Sequence, residues 1–176
     1  QSISKVFALE VALEALGEGL WKRLGREPSG DPFNSIIDLE RSKGIPRNPF
    51  INAGALVVCD VLVGMGGARS DRHVEKFISR ALDGEEITVD EDVMESDRKG
   101  GKLNRSLMFM TDHFGNLKND IDRVMDAYVR QCAISLDCRG LARAGRFLMH
   151  DDDGDEKHSV RAAQRARRIL SIMMLC

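Results

Sequence analysis

Q-S-I-S-K-V-F at residues 1–7 opens a segment whose apolar residues recur at helical spacing through residue 16. Ser2 and Lys5 form an S-x-x-K pair, and residues three apart share a face of a helix. A lysine whose pKa is lowered by burial can take the proton of a neighbouring serine hydroxyl and create a nucleophile. The pair therefore indicates acyl transfer, with Ser2 as nucleophile and Lys5 as base.

The same spacing has a second interpretation. Serine is also a favoured N-cap residue, so Ser2 could simply begin the helix. A second S-x-x-K, from Ser96 to Lys99, lies among charges and glycines and is assigned no chemistry. The pair alone favours the capping role, and the assignment of Ser2 depends on the rest of the chain.

Composition narrows the class of protein. The length of 176 residues predicts one domain with a sizeable core. The net charge is −2 and acidic and basic residues are mixed, so the sequence shows no basic patch typical of a nucleic-acid-binding protein. No apolar run is long enough to predict a membrane span. The four cysteines lack metal-ligand spacing, which favours reduced packing residues. We therefore expect a cytoplasmic protein with no metal and no cofactor.

Several further motifs carry a resemblance over essentially the whole chain. They are G-R-E-P-S-G (25–30), F-N-S-I (33–36), G-I-P-R-N-P-F-I-N-A-G-A (44–55), F-G-N (114–116), Tyr128 with Cys132 four residues on, and L-A-R (141–143). Together with residues 1–7 they closely resemble the serine-dependent glutaminases, which hydrolyse L-glutamine to L-glutamate and ammonia. The resemblance implies a glutamyl ester on Ser2, with Lys5 as general base.

The resemblance also implies a fold. The family is similar to the serine β-lactamases and penicillin-binding proteins, which place an antiparallel sheet built from the two chain ends beside a helical lobe. Glu86 to Val89 is the only strand candidate here. We therefore expect a mainly α fold, the helical lobe with most sheet strands missing, and a single glutaminase domain over 1–176, truncated at both ends.

Four more substrate-binding positions follow from the resemblance. They are Asn52 of N-A-G-A, Asp97, Asn104 and Tyr128. Asp97 falls where the family usually has Glu, and its carboxylate would pair with the α-ammonium of the substrate. Taken alone, Asn52 is typical of a helix cap, Asp97 of a solvated loop and Tyr128 of half-buried packing. The implied partners are L-glutamine and further copies of the chain, in a dimer or tetramer.

Two alternatives stay open. A β-lactamase or peptidase would need S-D-N and K-T-G motifs, and neither occurs. The second alternative is a non-catalytic role, in which the chain is a catalytically incompetent fragment or a helical interaction module. The family's K-S-G-V strand, which gives the second oxyanion donor, and two further tyrosines have no counterpart, and Leu103 replaces an arginine. Such a fragment would turn over glutamine poorly.

Periodicity and turn residues predict the individual elements. Ser70, Asp137 and Ser159 are candidate N-caps, and 85–97 is predicted to be irregular with at most one helical turn. The predicted helices cover 2–16, 33–41, 51–65, 71–83, 103–113, 118–134, 137–150 and a last segment from 159.

Overall fold

The computed structural model describes residues 1–28, 30, 32–66, 71–149 and 156–175. Within these residues the chain forms nine α-helices and one two-stranded sheet, so the expected mainly α fold is confirmed. The helices are α1 (Ser4–Leu16), α2 (Ile36–Arg41), α3 (Asn52–Gly64), α4 (His73–Ala81), α5 (Glu91–Gly100), α6 (Lys102–His113), α7 (Ile121–Cys132), α8 (Cys138–Ala144) and α9 (Glu156–Met173).

The sheet joins two short strands from distant parts of the sequence. Strand β1 (Thr88–Val89) runs antiparallel to β2 (Ile134–Ser135), with Thr88 opposite Ser135 and Val89 opposite Ile134. Strand β1 falls within the predicted strand candidate. The pairing fixes the end of α7, because Ile134 leaves the helix to meet Val89. The predicted helix through residue 134 is therefore too long at its C-terminal end.

Helix α3 is the centre of the fold. Its apolar residues lie on every face, and from Ala53 to Val63 each residue is buried. One side packs on α1, which is itself buried from Phe7 to Leu13, and the other side packs on α6 and α7. A helix that is hydrophobic all round is expected to lie inside a fold rather than on its surface. The predicted buried helix over 51–65 is thus confirmed.

Helix α9 covers the outer side of α1. Ala163, Ala166, Ile169 and Ile172 form its buried face. Arg165 donates from Nε to Glu10 Oε1 on α1 at 2.7 Å. None of the helices within the described ranges is long and apolar enough to cross a membrane.

The loop before α3 is held by the F-G-N motif. Asn116 donates from Nδ2 to the carbonyl oxygens of Arg23, at 2.7 Å, and Gly44, at 2.8 Å. Gly44 has φ of 75°, and a Cβ there would lie 2.7 Å from Cβ of Phe114. The contact therefore requires glycine. It fixes where the loop leading to N-A-G-A begins.

The segment 85–97 differs most from expectation. It is not irregular, because residues 91–100 form α5. The side chain of Asp90 caps this helix by accepting from the Val93 N–H at 3.0 Å. Acidic residues fill the first turn, and Arg98 and Lys99 fill the last, as the helix dipole favours. The acidic run is thus the start of a helix.

The predicted caps have different outcomes. Asp137 caps α8 as predicted, accepting from the Gly140 N–H at 2.6 Å. Ser159 lies inside α9, three residues beyond its start, so its predicted capping role is wrong. Helix α4 ends at Ala81, earlier than predicted, because Asp83 and Gly84 adopt positive φ. Ser70 and the acidic residues 151–155 lie outside the described residues.

Candidate active site

Ser2 and Lys5 lie on one turn at the start of α1. The Lys5 N–H donates to the Ser2 carbonyl at 3.2 Å, and the Ser4 N–H donates to the Gln1 carbonyl at 3.0 Å. The helix proper begins at Ser4, with Ile3 at the N-cap position and no side-chain cap. The capping interpretation of Ser2 is therefore wrong. Ser2 is exposed, whereas Lys5 is 5% exposed.

The side-chain nitrogen of Lys5 is held at the start of α3. Its Nζ donates to the Phe50 carbonyl at 3.0 Å and to Asn52 Oδ1 at 2.9 Å. Lys5 therefore connects the first turn of α1 to the loop before α3 and to the first residue of α3.

Asn52 links this lysine to α6. It is the first residue of α3, and its Nδ2 donates to Asn104 Oδ1 at 3.3 Å. The amide thus accepts on one side and donates on the other, and it is not the N-cap of α3, which is Ile51. Lys5, Asn52 and Asn104 form one hydrogen-bonded row, although they are far apart in the sequence.

Asn48 shapes the loop that presents these groups. It is fully buried, and its Oδ1 accepts from the Phe50 N–H at 2.9 Å and the Ile51 N–H at 3.1 Å. Its own carbonyl presses on Gly54, where a Cβ would lie only 1.9 Å from the oxygen. Asn48 and Gly54, the first and last residues of N-P-F-I-N-A-G, therefore form one close backbone contact. Motif matching gave Asn48 no role, although it lies within the motif.

Tyr128 lies on α7 and Asp97 lies on α5, and the charge of Asp97 acts on the Tyr128 hydroxyl. Tyr128 is 6% exposed, and burial raises the pKa of its hydroxyl well above the usual range. Cys132, Cys59 and the charge of Asp97 raise that pKa further. The hydroxyl is therefore protonated throughout the ordinary pH range. Asp97 lies half-buried on a helix, not in the solvated loop of the alternative interpretation.

The junction of α5 and α6 needs a small residue. A Cβ on Gly101 would lie 2.0 Å from Met125 Cε on α7 and 3.0 Å from the Asp97 carbonyl. Gly101 therefore lets the end of α5 approach α7. The glycine pair at 100–101 departs from the family pattern. The close approach of α5 to α7 explains why residue 101 is glycine.

Two thiols lie beside the site. Burial raises the pKa of Cys59 and also that of Cys132, whose hydrogen bonds to Ser4 and Tyr128 act in the opposite direction. A thiol with a raised pKa is a poor nucleophile. Cys59 and Cys132 are buried free thiols, as expected, and Cys138 is exposed. Within the described part of the chain no group of His, Cys, Asp and Glu could hold a metal ion.

Solved structures have the same arrangement of elements. A Bacillus glutaminase solved in 4.3 M NaCl superposes with a TM-score of 0.85 at 30% identity, covering 100% of this chain and 60% of that one. A probable glutaminase of Bacillus subtilis gives 0.83 at 29% identity, with 100% and 57% covered. The fold is the helical part of the β-lactamase-like glutaminase fold.

Sequence comparison gives the family. The glutaminase family model matches residues 1–176, and the chain belongs to the glutaminase family. A glutaminase of Methylobacterium radiotolerans is 47% identical over 178 residues, and so is one of Rhizobium johnstonii. In both cases the match covers 100% of this chain and 58% of the relative. The chain thus spans little more than half the length of these relatives.

Proposed function

We propose that the chain carries the nucleophile and most of the substrate-binding side chains for hydrolysis of L-glutamine to L-glutamate and ammonia. One observation carries the proposal. The buried Lys5, one turn from Ser2, is held by Phe50 and Asn52, and Asn52 continues to Asn104. Membership of the glutaminase family supports the same activity.

The proposed reaction has two halves. Lys5 Nζ accepts the Ser2 hydroxyl proton while Ser2 Oγ bonds to the side-chain amide carbon of glutamine. The proton passes to the leaving nitrogen, the carbon–nitrogen bond breaks, and ammonia leaves a glutamyl ester on Ser2. Water, deprotonated by Lys5, then breaks the ester and releases glutamate. The start of α1 provides positive potential for the oxyanion, and the Ser2 N–H provides one donor.

Each remaining side chain has a proposed role in holding the zwitterionic substrate. Asp97 pairs with the α-ammonium, and the amides of Asn52 and Asn104 bind the carboxylate or the reacting amide. Tyr128 contributes a neutral hydroxyl. The proposed cytoplasmic location and single domain are predictions from the sequence alone.

The test is release of glutamate and ammonia from glutamine by the chain and by Ser2→Ala. Loss of a nucleophile typically lowers kcat by on the order of 10⁴-fold or more. Ser4→Ala is the matched control, because Ser4 is buried on the same turn and should have a mild effect. Turnover that survives Ser2→Ala at the wild-type rate would overturn the assignment.

The alternative that the sequence left open is a non-catalytic role, in which the chain binds glutamine or another protein without turning substrate over. Chemical shift changes on adding glutamine, lost in Asp97→Ala, would accompany a lack of turnover. Such a result would assign the chain to binding and not to catalysis.

We also propose self-association into a dimer or tetramer, as the family resemblance implies. Large apolar side chains of α2, α6 and the segments beside them face solvent: Phe33, Ile37, Phe109 and Phe114. Exposed apolar surface of this kind favours association. Sedimentation velocity over a range of concentrations measures it, and a monomer at all concentrations would contradict it.

A further inference from the structure

A buried ion pair between Arg23 and Asp60 has no part in the proposed reaction. Arg23 donates from Nη2 to Asp60 Oδ2 at 2.6 Å, and the Asp60 side chain is fully buried. The other oxygen of Asp60 accepts from the backbone N–H groups of Lys118, at 3.1 Å, and Asn119, at 2.8 Å. Charge-assisted hydrogen bonds of this kind are stronger than neutral ones. Because Asp60 belongs to the buried helix α3, it holds Arg23 at a fixed place in the fold.

Asn116 extends this anchor from Arg23 to the loop before α3. The Arg23 guanidinium donates to the Asn116 backbone carbonyl and, from Nε, to Asn116 Oδ1 at 3.3 Å. In return Asn116 Nδ2 donates to the carbonyl oxygens of Arg23 and Gly44. One amide therefore holds Arg23 and Gly44 together, although α2 lies between them in the sequence.

The segment 25–27 runs along the loop that leads to α3. The Gly25 N–H donates to the Pro46 carbonyl at 2.8 Å, and the Glu27 N–H donates to the Arg47 carbonyl at 2.9 Å. A Cβ on Gly25 would lie 2.5 Å from the Arg47 carbonyl oxygen, so this close approach requires glycine. The two pieces of chain are thus joined through their backbones.

Asn48 connects the joined segments to Lys5. Its Nδ2 donates to the Glu27 carbonyl at 2.9 Å, and its Oδ1 accepts from the Phe50 N–H at 2.9 Å. The Phe50 carbonyl in turn accepts from Lys5 Nζ at 3.0 Å. A continuous row of contacts therefore leads from the buried ion pair to the proposed general base.

We propose that Arg23 is a positioning residue for Lys5. Anchored on Asp60, Arg23 fixes the segment against which the loop 44–51 lies, and so holds the Phe50 carbonyl at Lys5 Nζ. The catalytic consequence rests on the proposed function, whereas the effect on the Lys5 side chain does not.

The rate at which an amine-specific label modifies Lys5 tests the proposal without turnover. The native chain is treated with an N-hydroxysuccinimide ester, and labelled peptides are quantified by mass spectrometry, with the exposed Lys99 of α5 as internal reference. Lys5 is 5% exposed, so its labelling requires local opening and should be slow. Arg23→Met should raise this rate roughly two- to tenfold, the equivalent of one neutral hydrogen bond. Arg23→Lys, which keeps a positive charge for Asp60, should give a smaller rise.

Arg165→Met is the matched control. Arg165 forms a comparably buried ion pair with Glu10 on α1, the helix that carries Lys5, but it lies outside the row that begins at Arg23. An unchanged Lys5 rate in Arg23→Met would overturn the proposal, and so would an equal rise in Arg165→Met. Circular dichroism confirms that each variant is folded, and Arg23→Lys decides in the same way if Arg23→Met does not fold.

Kinetics separate this role from the proposed function. Where glutamine is turned over, Arg23→Met should lower kcat roughly two- to tenfold with a smaller change in KM, because the shifted group is the base. An unchanged kcat beside a raised Lys5 labelling rate would overturn the catalytic consequence. A chain without turnover would refute the proposed function, and the labelling rate of Lys5 would still decide the role of Arg23.

Discussion

At the scale of single residues, the candidate site depends on side chains that bridge two or more partners. Asn52 accepts from Lys5 and donates to Asn104, and Asn48 accepts from two backbone N–H groups. The sequence motif identified Asn52 and Asn104, but it could not predict that they touch. Their contact joins residues 52 positions apart, and only the packing of α6 on α3 creates it.

Asp97 allows a direct test at this scale. If its carboxylate holds the α-ammonium, Asp97→Ala removes a charge-assisted hydrogen bond of about 1.5–3 kcal/mol. The expected result is a KM, or a Kd for glutamine, raised by roughly 10- to 150-fold. Asp97→Glu should keep or lower it. Asp92→Ala, on the exposed first turn of the same helix, is the control, and an unchanged KM in Asp97→Ala would contradict the role.

At the scale of elements, burial decided what could be predicted. Helix α3 was predictable because an apolar run of its length has few alternatives to a buried helix. Helix α5 was not, because its residues are mostly charged and none is buried. Its signals are the Asp90 cap and the charge order along the helix, which are weak compared with apolar periodicity. The length of α7 depended on a strand pairing with a distant segment.

Gly54 tests the link between α3 and its loop. An added Cβ would lie 1.9 Å from the Asn48 carbonyl, which must then move together with Phe50. We expect Gly54→Ala to lower the free energy of unfolding by about 3 kcal/mol. Gly100→Ala is the control, because no atom lies within 4 Å of its Cβ. It should be neutral or stabilise by up to about 1 kcal/mol. Equal stability of the two variants in urea titrations would show that the contact is not required.

The packing of α9 on α1 predicts a pH dependence. Burial raises the pKa of Glu10, and the hydrogen bond and charge of Arg165 only partly oppose this. A raised pKa means that the folded state holds the proton more tightly than the unfolded state. The contribution of Glu10 to stability is therefore complete below the pKa of the unfolded chain, about 4.3, and is lost as pH rises through the folded value.

Urea unfolding of the wild type and Glu10→Gln over a pH series isolates this contribution. The stability of the wild type relative to the variant should fall as pH rises above about 4. A rise over the same interval would show that Arg165 stabilises the carboxylate more than burial destabilises it. Glu40→Gln is the control, because Glu40 is exposed on another helix, α2.

At the scale of the whole molecule, the chain is a helical body with α3 at its centre, and the candidate site residues lie on or beside α1, α3, α5, α6 and α7. The first residues of α1 and α3 meet through Lys5 and Asn52, and α6 joins them through Asn104. The resemblance predicted the helical lobe and the candidate residues. It did not predict the roles of the Asn48 side chain or the Phe50 carbonyl, because these roles come from the assembled structure and not from residue identity.

The most direct test of the central claim is to look for the covalent intermediate on Ser2. The chain is mixed with L-glutamic acid γ-(4-nitroanilide), whose good leaving group favours acylation, and is quenched in acid for intact-mass and peptide mass spectrometry. We expect a glutamyl adduct on the peptide that contains Ser2, present in Ser4→Ala and absent in Ser2→Ala. Absence of an adduct from the wild type, or an adduct that persists in Ser2→Ala, would contradict it.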